Sequence, residues 1–418
     1  MTGFGKVVYA AEEGLMHGTL TVREGKIFLS DLSPLASEED YRGRTLVVPA
    51  FADVHVHLRE PGFFYKETIA SGTESAARGG FTAVCSMPNL DPVPDSVKNL
   101  EKQVDIIKKT AKVPVYPFAA LTVGEKGQRL SDIEGLAPFV VGFSDDGKGV
   151  QSEELMREAM RRVKAVGGII SAHCEDERCL RAGGAVHDGE YARRHGLVGI
   201  SSESEWRMVE RDIALAEETG VRYHVCHVST RESVELIRRA KARGADITCE
   251  TAPHYLVLTE DDLRDEGRFK MNPPVRTAAD RDALIEGLAD GTVDMIATDH
   301  APHSDEEKSR GLAGSLMGVI GLEYAFPVLY TKLVLEGKIT LGRLIDAMSG
   351  APRRRFGLPP AKIAEGERAE LAVIDLGAEW TVRGAESASR GNMTPFEGMR
   401  VKAKIMTTMS GGEIVWTR

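Results

Sequence analysis

Eight apolar, β-prone runs alternating with amphipathic helical stretches predict an α/β protein. The expected form is a closed (β/α)₈ TIM-like barrel with a small β-sandwich built from both chain ends. Three observations carry this. The runs at 46–54, 81–86, 113–118, 139–143, 168–172, 222–226, 246–249 and 293–297 are nearly continuous in apolar residues, as strands buried on both faces should be. Helical patterning fills most of the gaps, at 66–78, 96–111, 153–166, 203–219, 231–243 and 278–289. Short alternating runs recur at both ends of the chain, outside the αβ pattern.

The N-terminal end offers strands at 6–9, 18–22, 26–29 and 45–48, with Glu24-Gly25 as a hairpin turn. The C-terminal end offers 369–375, 401–406 and 413–416, with Gly411-Gly412 before the last. Pairing of the two ends assigns 1–48 and 364–418 to the accessory sandwich and 49–363 to the barrel. Within the barrel, Ser202 with Glu205 and Ser229 with Glu232 read as capping boxes that start two helices.

A chain of 418 residues suits one barrel plus a small domain. The net charge of −10 argues against a phosphate-backbone ligand. No apolar run is long enough to span a bilayer, and the first ten residues lack the pattern of a secretion signal. Five scattered cysteines, an odd number in a long chain, suggest reduced thiols and a cytoplasmic address.

The polar residues that carry chemistry fall where the strands stop. The first strand ends in Asp53-Val54-His55-Val56-His57. Side chains two apart on a strand share a face, so both imidazoles can reach one metal centre. Further histidines follow later strands: His173 after 168–172, His227 after 222–226, and Asp299, His300 and His303 after 293–297. Imidazoles and carboxylates without a thiolate set suit Zn, Mn or Fe.

These residues resemble the amidohydrolase superfamily and, within it, the dihydroorotases of the bacterial class I type. The likeness spans nearly the whole chain. It rests on Asp53-Val54-His55-Val56-His57-Leu58-Arg59 and on Ala297-Thr298-Asp299-His300-Ala301-Pro302-His303, with Lys308 five residues beyond. Glu60-Pro61-Gly62, Lys66-Glu67-Thr68, Met87-Pro88-Asn89, the segment 143–147 and Met271-Asn272-Pro273 support it.

The resemblance implies two zinc ions per subunit, one on His55, His57 and Asp299 and the other on His173 and His227. Many relatives bridge the metals with a carboxylated lysine, but this chain has none at that place. The family pattern then implies an aspartate bridge. Asp145 and Asp146 are the candidates, and Asp146 is favoured by its spacing to His173.

In this reading Asp299 is also the catalytic proton shuttle. Substrate contacts fall to His57, Arg59, Asn89, Asn272 and His303. Backbone contacts at Met317 and Gly318 complete the set, where relatives often carry Phe-Gly. The implied reaction is the reversible, zinc-dependent closure of N-carbamoyl-L-aspartate to (S)-dihydroorotate and water, in de novo pyrimidine synthesis. A homo-oligomer and association with aspartate transcarbamoylase are the implied assemblies. Two other readings compete: a hydantoinase or allantoinase, whose first motif lacks the arginine, and a non-catalytic scaffold, which would lose metal ligands.

The remaining candidates get plainer expectations. His17, His187 and His195 read as surface residues and His224 as a packed one. His254 and His300 are placed behind the ligands, to orient them. Cys174 and Cys226 read as packing residues, and Arg353-Arg354-Arg355 as a solvated helix face.

Overall fold

The computed structural model describes residues 2–12, 14–37 and 39–418. Eight parallel strands run in chain order around the barrel: Phe51–Val56, Phe81–Ser86, Val115–Ala120, Gly142–Ser144, Ile169–Ala172, Arg222–Val225, Ile247–Thr251 and Met295–Ile296. The eighth strand is short, and the seam closes just past it, where His300 bridges to Val56 in parallel. Because all strands run the same way, their C-terminal ends share one mouth.

The helices between them form for local reasons. Helix Glu153–Ala165 has Ser152 as N-cap, accepting from Leu155 N, with acids in its first turn and Arg162 and Lys164 in its last. It buries Met156, Ala159, Met160 and Val163, one face at helical spacing.

The two chain ends pair into one seven-stranded sheet. In spatial order its strands are Glu413–Thr417, Arg400–Ser410, Leu371–Thr381, Thr45–Pro49, Thr2–Ala11, Gly14–Arg23 and Lys26–Pro34. All neighbours are antiparallel except Thr2–Ala11 against Thr45–Pro49. One face, with Val8, Leu46, Val48 and Ile374, joins the main core, whereas Val7, Tyr9, Leu20, Val47 and Val373 form a separate cluster. Glu24 and Gly25 both take positive φ, as a two-residue type I′ hairpin turn requires.

Several details depart from the sequence reading. The run 46–54 is two strands, one in each sheet, divided at Ala50. The third strand lies two residues later than expected, beyond Pro114, which has no N–H to give. The caps of helices Ser202–Thr219 and Arg231–Ala242 are Ser201 and Thr230, one residue from the expected positions. Glu205 turns away instead. It accepts from Ser229 N, Thr230 N, Thr230 Oγ1 and Ser233 Oγ, and so fixes the loop after the sixth strand.

The basic run Arg353-Arg354-Arg355 is not a uniformly solvated face. Arg353 is buried and donates to Pro359 O at 2.6 Å, Ala50 O at 3.2 Å and Thr82 Oγ1 at 2.9 Å. The backbone break at Ala50 leaves carbonyls without ladder partners, and the guanidinium fork satisfies them. We expect Arg353→Met to lower stability by about 1–3 kcal/mol, because buried Thr82 Oγ1 loses its charged donor and Ala50 O keeps only the Ser349 Oγ hydrogen bond at 2.8 Å. Urea unfolding checks this, and an unchanged midpoint would contradict it.

Candidate active site

The strand ends bring the expected donors into one small volume. His55 Nε2 lies 3.3 Å from Asp146 Oδ1, and His57 Nε2 lies 3.4 Å from Asp146 Oδ2. His57 Nε2 is 3.2 Å from Asp299 Oδ1, and His55 Nε2 is 3.7 Å from it. On the other side, His227 Nε2 is 3.5 Å from Asp146 Oδ1, and His173 Nδ1 is 3.9 Å from it. His173 Nδ1 and His227 Nε2 face each other at 3.0 Å. Donors bonded to one tetrahedral ion at about 2.0 Å stand about 3.3 Å apart, which matches this spacing.

The imidazoles are turned so that free lone pairs face inward. His55 Nδ1 donates to Glu250 Oε1 at 2.6 Å, and His57 Nδ1 donates to Asn89 Oδ1 at 2.9 Å. His173 Nε2 is the nitrogen nearest Glu175, at 3.4 Å, which leaves its Nδ1 for the centre. His55 Nε2 and Asp146 Oδ1 are buried with no hydrogen-bond partner among the described residues. Buried polar atoms seldom stay unsatisfied, and orphans aimed at one point fit a cation there. Burial opposes ionisation of Asp146, yet the surrounding histidines hold it well below the usual carboxylate range.

Beside this cluster lies a cavity of about 220 Å³. His57, Arg59, Asn89, Asp146, Asn272 and Asp299 line it, together with His173, His227, His303, Met317 and Gly318. His55 sits beneath, fully buried. Arg59 is buried, and its Nε donates to Pro302 O at 3.2 Å. Among the described residues no carboxylate pairs with it. An unpaired buried guanidinium in a cavity wall suits a ligand carboxylate. His303 Nε2 donates to Met317 O at 2.7 Å, and Asn272 Nδ2 donates to both Glu175 oxygens at 3.1 Å. Three of the seven described non-glycine residues at positive φ are here: Arg59, His227 and Asp299. Strained backbone of this kind concentrates at functional sites.

A family profile described as dihydro-orotase-like matches residues 43–233. A dihydroorotase from Geobacillus sp. (strain WCH70) is 47% identical over 97% of this chain and 96% of its own length. Those from Bacillus caldolyticus and Anoxybacillus flavithermus are 48% and 46% identical, covering 92% and 100% of this chain and 91% and 99% of theirs. The chain belongs to the dihydroorotase family. It is an enzyme, a cyclic amide hydrolase. Among solved structures, the L-hydantoinase (dihydropyrimidinase) from Arthrobacter aurescens superposes with a TM-score of 0.83 at 25% identity, covering 97% of this chain and 94% of that one. A dihydropyrimidinase from Brevibacillus agri gives 0.80 at 21%, covering 98% and 93%, and shows the shared fold.

Around the cluster, the other candidates from the sequence take different places. Asp145 is buried but turns away from the cluster, accepting from Leu121 N at 2.8 Å and Thr122 N at 2.9 Å. His300 Nε2 donates to Glu67 Oε2 at 3.3 Å, and its Nδ1 accepts from Gly321 N. His254 is buried, and its Nε2 has no hydrogen-bond partner among the described residues. Cys226 Sγ lies near His55 and Glu250, while burial pushes its thiol up to about 12, the state of a packing residue.

The residue the sequence hid is Glu250. It accepts from His55 Nδ1, from His224 Nε2 at 3.2 Å and from His227 N at 3.4 Å. Burial alone would raise its pKa, but the imidazoles of His55 and His224 hold it at about 2. The one available signal was an acid inside an otherwise buried strand run, Cys249-Glu250-Thr251.

His187, expected at the surface, is buried. Its Nδ1 accepts from Arg276 Nη1 at 3.2 Å, and Arg276 also reaches Ile200 O and Ser229 Oγ. Burial, then the Arg276 charge, push the His187 imidazole down from 6.5 to about 4. The unfolded chain therefore binds more protons between those values. We expect this contribution to be intact above pH 6.5 and lost as pH falls toward about 4, with a slope below about 1.4 kcal/mol per pH unit. Urea unfolding of His187→Asn across that range should show a shallower acid limb, and an identical slope would contradict the assignment.

Proposed function

We propose that this enzyme interconverts (S)-dihydroorotate and N-carbamoyl-L-aspartate with two zinc ions, in the cytoplasm, as a step of de novo pyrimidine synthesis. One observation carries the reading: a buried arginine that no carboxylate contacts among the described residues lines the same cavity as the converged imidazoles and carboxylates. A hydantoin ring offers no carboxylate to such an arginine, whereas dihydroorotate does.

The orphaned His55 Nε2 and Asp146 Oδ1, the inward lone pairs and the N/O donor set fit zinc. His55, His57 and Asp299 would hold one ion and His173 and His227 the other. Asp146, whose two oxygens face different histidines, would lie between them. Bound zinc supplies a polarised carbonyl and a water acidic enough to ionise near neutral pH.

The chain's own groups do the rest. Asp299, held ionised by His57 and its neighbours, accepts the attacking water's proton and passes it to the departing ring nitrogen. In the reverse direction it takes the proton from the ureido nitrogen as the ring closes and water leaves. Arg59 receives the substrate carboxylate, with Asn89, Asn272 and His303 completing the polar wall and Met317 and Gly318 offering backbone groups. His57 lines the same wall, held by Asn89. A homo-oligomer and contact with aspartate transcarbamoylase extend this reading from the family resemblance.

The test is zinc content together with turnover of dihydroorotate, hydantoin and allantoin on one preparation. Dihydroorotate should be preferred and chelation should abolish turnover; preference for hydantoin or allantoin, or activity without metal, overturns the reading. Asp299→Asn should lower kcat by about 10²–10⁴-fold. Glu250→Gln should weaken zinc binding by roughly 10–100-fold, since it releases the His55 ring. Competition with a chromogenic chelator measures the latter, and unchanged affinity removes Glu250 from the account.

A further inference from the structure

We infer that Lys308 is a positioning residue: its buried ammonium ties together the two loops that present Asn272 and Met317-Gly318 to the cavity, and so sets the substrate-facing geometry of His303. The inference rests on the proposed substrate reading and concerns a residue outside the cavity wall.

Lys308 closes a short helical turn, Asp305–Lys308, after the eighth strand. It is 1% exposed, and no carboxylate pairs with it among the described residues. Its Nζ donates to Lys270 O at 2.9 Å and to Leu316 O at 2.8 Å. Lys270 lies two residues before Asn272, and Leu316 immediately precedes Met317. Lys270 O also accepts from Gly318 N at 3.0 Å, so one carbonyl joins both loops. Leu316 N returns to Glu307 O at 3.0 Å, which closes the excursion 308–316 on itself.

The downstream link is direct. Met317 O, fixed by this knot, accepts from His303 Nε2 at 2.7 Å. On its other nitrogen His303 meets Lys66 Nζ at 3.2 Å and Glu307 Oε2 at 3.3 Å. The ring orientation therefore depends on where the 316–317 backbone stands. The crossing is tight: a Cβ on Gly267 would fall 2.0 Å from Lys308 O, and one on Gly318 would fall 2.4 Å from Ala301 O.

A buried amine without a counter-ion is a poor choice for holding a fold, since an apolar side chain would cost less desolvation. Burial, aided by the nearby Lys270 charge, pushes the amine down to about 7. Its value lies in two directed hydrogen bonds at the meeting point of separate backbone segments.

Lys308→Met keeps the apolar stem and deletes the donors, and Lys308→Arg restores donors. The readouts are kcat and KM for dihydroorotate, zinc content, and amide hydrogen exchange over 309–318. For Lys308→Met we expect KM to rise roughly tenfold or more, kcat to stay within about threefold and zinc to be unchanged. Exchange over 309–318 should quicken, and Lys308→Arg should recover part of the KM. A wild-type KM in Lys308→Met overturns the inference. So does a parallel fall of kcat, zinc and global protection, which would mark a general structural role. If the wild-type enzyme itself does not turn over dihydroorotate, the substrate reading has failed instead. Exchange over 309–318 then still decides the loop tie: unchanged protection in Lys308→Met rejects it.

Discussion

Four imidazole nitrogens and the carboxylates of Asp146 and Asp299 aim their lone pairs at one small volume. Groups so arranged repel one another unless a cation stands between them, and they would swing apart if free. The molecule resists that by tying three of the imidazoles from behind. Glu250 grips His55, Asn89 holds His57, and Glu175 backs His173. Asp53 accepts from both His55 N and Thr298 N, joining the first strand to the start of the Asp299 turn. Buried carboxylates elsewhere in the barrel serve the same end, as Glu205 does for the loop after His227 and Glu67 for His300.

The barrel's closure and its chemistry share residues. His57 N donates to His300 O, and the bridge between His300 and Val56 completes the sheet. The seam between first and last strands therefore runs through the metal-facing motifs. Rigid strand ends hold the donors more precisely than free loops would, and the strain at Arg59, His227 and Asp299 is tolerated because the surrounding ladder over-determines it.

Much of this was legible from residue order. Strand periodicity located the barrel, and the spacing of His55 and His57 put both rings on one side. The cavity gathers the remaining residues singled out from sequence, from Arg59 to Gly318, with only His55 lying beneath it. What stayed hidden has a common cause. Glu250, Glu205 and Glu67 look ordinary in sequence, because a carboxylate's role depends on which distant donors fold against it. His187 and Arg353 misled for the same reason: their partners, Arg276 and Ala50, lie 89 and 303 positions away. The caps slipped by one residue because Ser201-Ser202 and Ser229-Thr230 each offer two adjacent hydroxyls, and local pattern does not choose between them.

The seven-stranded sheet has a consequence for biosynthesis. Thr45–Pro49 hydrogen-bonds on one side to Thr2–Ala11, but on the other to Leu371–Thr381. On the ribosome, the early strands emerge more than three hundred residues before that partner exists. At about 5–20 residues per second, the open edge waits on the order of 15–60 s. During that interval the nascent N-terminal hairpins present an unpaired β edge, a target for holdase chaperones and a route to aggregation when translation stalls.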